Sequence, residues 1–166
     1  MPLITGNDFH ILMLETICSV ALGDTYATAP RAALETNCVL FGHDVLTQVF
    51  DLSWSRDEYQ DSLLWDASKP FSSVDVLVRK GVATNDPFAP TGTRWFAWQR
   101  WAKLDPPSRG HFGFAYAKPE GDRMCLVDAT NANRQWWNEY DLAPLHEHFG
   151  VPEDNIRMVA LRGVVR

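Results

Sequence analysis

The stretch from His111 to Thr130 constrains the fold of this chain more than any other. Two runs, 111–118 and 123–130, read as strands, and Pro119-Glu120-Gly121-Asp122 joins them. Proline presets the φ of a turn, glycine takes a positive φ at no steric cost, and aspartate bonds its own backbone. The tetrapeptide therefore closes an antiparallel hairpin. With Lys118 facing Arg123, Gly113 stands opposite Asp128 and His111 opposite Thr130. Odd-numbered residues of the first strand then share a face with even-numbered residues of the second. His111 and Asp128 become diagonal neighbours on one face, with Cβ atoms roughly 7 to 8 Å apart, while Cys125 falls on the other.

A two-stranded hairpin is marginal alone and needs further layers. From Arg94 onward Trp95, Phe96, Trp98 and Trp101 favour a strand that Pro106 and Pro107 end, and residues 155–165 read as a closing strand. The first half reads as helical. Over 9–22, Ile11, Leu14, Cys18 and Leu22 recur on one face before Gly23 and Asp24. After a connector containing Pro30, Thr36 and Asn37 are N-cap candidates for a helix over 38–50, in which Val39, Leu46, Val49 and Phe50 share a face. Between these halves, 56–65 suits a short helix and 73–79 a half-buried strand or a helix start. Residues 81–93, with Pro87, Pro90 and Gly92, suit a loop able to act as a rim or lid. The expected class is α+β, with N-terminal helices packed on an antiparallel sheet. The 166 residues, 46% of them hydrophobic, suffice for one domain spanning 1–166.

Charge and cysteine usage narrow the function classes. A net charge of −6 disfavours nucleic acid as a partner, since phosphate neutralisation needs a basic face. The charge is uneven: residues 1–78 carry three basic side chains against eleven acidic ones, which suits a docking face for a basic protein. The apolar stretch near Ile11 is interrupted by Glu15 and preceded by no Lys or Arg, so neither a signal peptide nor a membrane span is expected. Cys18, Cys38 and Cys125 are odd in number and far apart, which fits free thiols in a reducing compartment. A cytoplasmic protein is expected, or one delivered into a target cell without a classical signal. His146 and His148 lack a matching ligand cluster, and no Gly-rich phosphate loop with its lysine occurs, so neither a metal nor a cofactor is expected.

Cys38, His111 and Asp128 remain as a thiol, an imidazole and a carboxylate in the chain order of a cysteine hydrolase. A thiol must be deprotonated to attack, its base must sit beside it, and a third group must fix the base's tautomer. Cys38 falls in the first turn of a helix whichever residue caps it, where unpaired N–H groups lower a thiol's pKa and offer a place for an oxyanion. Cys18 and Cys125 read instead as core fillers. His43, five residues after Cys38, lies roughly 140° round a helix from it and reads as a surface or core histidine. Trp136 and Trp137 follow Asp128 closely enough to wall a cleft, whereas Trp54, Trp65, Trp95, Trp98 and Trp101 read as packing.

At these residues the chain resembles the papain-like superfamily, and most of all its papain-fold toxins and protein-glutamine deamidases of bacterial effectors. The matching pieces are Asn37-Cys38 at a helix start, Gly110-His111-Phe112-Gly113-Phe114 at a strand start, and Leu126-Val127-Asp128 at the end of its partner, together covering roughly residues 36–130. The resemblance implies a papain-like fold, Cys38 as nucleophile, His111 as general base and acid, and Asp128 as its orienter. Papain-like peptidases carry a glutamine six residues before the cysteine, where this chain has Ala32, and the group tends to follow the aspartate with proline, where this chain has Ala129. The oxyanion is therefore expected to meet the backbone N–H of Cys38 and the Asn37 side chain. Three classes stay open: a glutamine side-chain deamidase or related effector toxin acting on a protein or peptide substrate; a cysteine peptidase, including the cell-wall type; and a non-catalytic interaction or viral structural protein.

Overall fold

The computed structural model describes residues 3–4, 6–22, 37–52, 72–85, 95–101, 110–117, 123–127, 138–141, 146–147, 150 and 152–165. Among the described residues the helices α1 (Gly6–Leu22), α2 (Asn37–Phe50) and α3 (Ser72–Arg79) precede most of the strands. The strands are β1 (Leu3–Ile4), β2 (Ala83–Thr84), β3 (Trp95–Trp101), β4 (Gly110–Ala117), β5 (Arg123–Val127), β6 (Asn138–Asp141), β7 (Ile156–Leu161) and β8 (Val164–Val165). Six form one antiparallel sheet in the order β2-β7-β3-β4-β5-β6, and β1 pairs with β8 in a separate ribbon. The class is α+β.

The β4–β5 pairing has the register expected from the sequence: Phe114 faces Val127, Tyr116 faces Cys125 and Ala117 faces Met124. Alternation along the strands then divides the core in two. On one face Trp95, Ala97, Phe112, Phe114, Val127, Val159 and Leu161 pack with residues of all three helices. On the other, Phe96, Trp98, Ala115, Leu126 and Ala160 form a second buried cluster. The Trp98 indole N–H, buried with this second cluster, donates to the Phe114 carbonyl at 3.0 Å, which meets the hydrogen-bonding need of a polar group buried among apolar neighbours.

Several sequence expectations are corrected. The buried stripe of α1 is Phe9, Met13, Thr16 and Ile17; Ile11 is 44% exposed and Cys18 is exposed, so Cys18 is no core filler. This helix carries apolar residues at helical spacing on two faces. The face with the phenylalanine is the buried one, its Phe9 ring meeting Phe50 of α2 at a centroid distance of 5.9 Å. Thr16, buried with that face, turns its hydroxyl back to the Leu12 carbonyl at 2.7 Å. The ambiguous 73–79 stretch belongs to helix α3. Val74 and Leu77 are three apart, and both are buried along with Val76; Asp75 in the first turn and Arg79 in the last suit the helix dipole. The orphan N–H of Val74 donates to Oε1 of Gln99, a buried residue of β3, at 3.2 Å. The 81–93 stretch is not all loop, because Ala83–Thr84 adds β2 to the edge of the sheet beside β7. The closing strand is two, β7 and β8, parted by Arg162 and Gly163. The expected helix over 56–65 lies outside the described residues.

Electrostatics tie α3 to the sheet. The Arg157 guanidinium on β7 donates to the Asp75 carboxylate of α3 and to the Asn85 side chain just after β2.

Candidate functional site

Asn37 opens α2 and Cys38 is its second residue, so the thiol-bearing position does fall in the first turn of a helix. His111 is the second residue of β4. Asp128, Trp136 and Trp137 lie outside the described residues.

The contacts of α2 fix which way it runs along β4. Gly42 sits directly on the Phe112 ring: a Cβ built there would fall 2.3 Å from Cε1 and 2.5 Å from Cδ1. At the other end of the helix Phe50 meets Phe9, and the neighbouring His10 lies 4.8 Å from Tyr116 and 5.7 Å from Trp95 between ring centroids. Helix α2 therefore runs from the Phe112 end of β4 towards the Tyr116 end, and its N-terminus points past the start of the strand. Cys38 is one turn before Gly42 on the same side of the helix, roughly 6 Å along its axis. His111 is one residue before Phe112, roughly 3.3 Å along the strand. The two backbones project to the same end of the sheet.

The register adds a second constraint. His111 pairs with Arg100, which pairs in turn with Ile156. Rows of that parity hold Trp98, Phe96 and Ala115, the second buried cluster, whereas α2 packs on the alternate rows of Phe112 and Phe114. The His111 backbone thus lies in a row that alternates with those under α2.

The first turn of α2 carries no acidic residue, so the partial positive charge of its N-terminus is unopposed there by its own helix. His43 is half-buried with Nδ1 3.2 Å from Oδ1 of Asp44. Burial pushes the His43 imidazole below its usual range and the Asp44 carboxyl above its own.

Gly42 is the residue of this region that the sequence reasoning passed over. Its signal is a lone glycine inside an apolar helical run, a mark of close backbone approach. Among the described residues, no three His, Cys, Asp or Glu side chains gather to hold a metal ion, and no helix is long and apolar enough to cross a membrane. No family model, curated protein or solved structure matches this chain.

Proposed function

We propose that the chain is a cysteine hydrolase of amide bonds with a papain-like arrangement, acting on protein glutamine side chains. The observation that carries this reading is the direction of α2, which brings the Cys38 position and the start of β4 to one end of the sheet. In the proposed cycle His111 takes the thiol proton and the Cys38 sulfur attacks the amide carbon. His111 then gives the proton to the departing ammonia, leaving a thioester. Water, deprotonated by the same imidazole, opens the thioester to a carboxylate and returns the thiol. Asp128 orients His111 throughout, the Cys38 N–H and Asn37 receive the oxyanion, and Trp136 and Trp137 wall the cleft. The setting is the cytoplasm, of the producing cell or of a target cell.

Incubating a proteome with the protein and with Cys38→Ala, then reading intact masses, tests the proposal. Amide-to-acid conversion with ammonia release and no chain cleavage, lost in the variant, is the expected result. Cys38-dependent new termini would replace the deamidase with a peptidase. No Cys38-dependent change would leave the second reading, a binding protein whose acidic first half meets a basic partner; the parity of the His111 row is the observation that favours it.

A further inference from the structure

On the reading of Cys38 as nucleophile, we propose that Gly42 is a positioning residue. By having no side chain, it seats α2 on the Phe112 ring and so fixes the separation between the Cys38 backbone and the start of β4. Three observations meet here. Gly42 is buried in the middle of α2, where glycine weakens a helix relative to alanine and so needs a compensating role. Its missing Cβ would overlap Phe112 at 2.3 Å. It lies one turn after Cys38, and its contact residue is the next residue after His111. Phe112 is itself 1% exposed and meets Phe114 edge-on at 5.5 Å, so the ring is backed by the core. A side chain at position 42 must displace the buried ring or the helix, and a displaced helix carries its first turn away from the strand that bears His111. A shift of about 1 Å is enough to spoil a nucleophile–base contact.

The thiols supply the test, with exposed Cys18 as the comparison in the same molecule. Alkylation by iodoacetamide is followed against pH by peptide mapping, in wild type, Gly42→Ala, Phe112→Leu and Gly42→Ala/Phe112→Leu. In wild type the Cys38 midpoint falls below that of Cys18. In Gly42→Ala it rises by about one pH unit, slowing labelling at pH 7 about tenfold, while Cys18 is unchanged. The double variant, in which the added methyl fills the space the ring leaves, moves back towards wild type. An unchanged Cys38 midpoint in folded Gly42→Ala overturns the positioning role and leaves the nucleophile in place. A wild-type Cys38 that titrates with Cys18 removes the nucleophile itself. Should Gly42→Ala not fold, Phe112→Leu and the double variant carry the comparison: a double variant nearer to wild type supports the seat, and equal midpoints overturn it.

Discussion

His10 offers the sharpest stability experiment. Its Nδ1 accepts the indole N–H of Trp95 at 2.9 Å, and Trp95 is fully buried. The imidazole also lies edge-on to Tyr116, so its ring packing and its hydrogen bond can be separated by His10→Phe. That variant keeps an aromatic ring and removes the His10 acceptor from the buried indole donor, a loss of about 1–3 kcal/mol. For a domain of this size the urea midpoint at pH 7.5 should fall by about 0.5–1 M. Acid does the same thing chemically, because an imidazolium donates from both nitrogens and cannot accept from Trp95. Burial holds the His10 imidazole below its ordinary value of 6.5. A folded value below the unfolded one means that the unfolded chain binds the proton first. The stabilisation is thus complete above pH 6.5 and is lost as the pH falls through the folded value. Of the titratable groups among the described residues, Tyr116 faces His10, while Asp8 and Glu15 on its own helix are exposed. His43 and Asp44 titrate in both proteins and cancel in the difference. Wild type and His10→Phe should differ most at pH 7.5 and converge towards pH 5. Parallel curves across that range would refute the argument.

Three further outcomes follow from single contacts. Asp51 sits at φ 53° immediately after α2, a left-handed position at the negative end of a helix whose last turn has no basic residue. Asp51→Gly should raise thermal stability by about 0.5–1 kcal/mol and Asp51→Val should lower it, as calorimetry will show. Gln99→Leu conserves volume and strands the Val74 N–H, so it should cost about 1–3 kcal/mol in urea and speed amide exchange in the first turn of α3. Asp75→Asn removes a half-exposed ion pair with Arg157 and should change stability by less than about 1 kcal/mol, the difference shrinking in high salt.

The hairpin was legible in the sequence because turn chemistry and a period of two act over adjacent residues. The turn signals of 119–122 predict one register, and the pairing of Phe114 with Val127 is that register. The first turn of α2 was legible for the same local reason. The buried face of α1 was not: Ile11, Leu14 and Cys18 compete with Phe9, Met13 and Ile17 at equal spacing, and only the packing of Phe9 on Phe50 separates them. Nor was β1, whose two residues owe their strand to Val164 and Val165 at the other end of the chain. Gln99 is the opposite case. A glutamine in an aromatic strand reads as solvent-facing, yet it is buried because a helix end with an unpaired N–H lies over it.

For the candidate site, the two kinds of signal act at right angles. The run of α2 from Gly42 on Phe112 to Phe50 on Phe9 is a statement along the strand, and it carries Cys38 towards the end where β4 begins. The pairing of His111 with Arg100 is a statement across the sheet, and it sets the His111 backbone in rows that alternate with those under α2. In the middle of a strand such an alternation would keep a helix-borne thiol and a strand-borne imidazole apart, since the packed sheet stands between them. His111 is the second residue of β4, where the helix-borne and strand-borne positions come nearest along the strand direction. A catalytic reading therefore depends on His111 lying at the start of β4 as much as on its being a histidine. Moving the imidazole two residues inward, as in His111→Gln with Gly113→His, keeps the parity and leaves the strand start. That variant should label Cys38 as slowly as His111→Ala does, whereas equal labelling in all three proteins would show that no imidazole at this end serves the thiol.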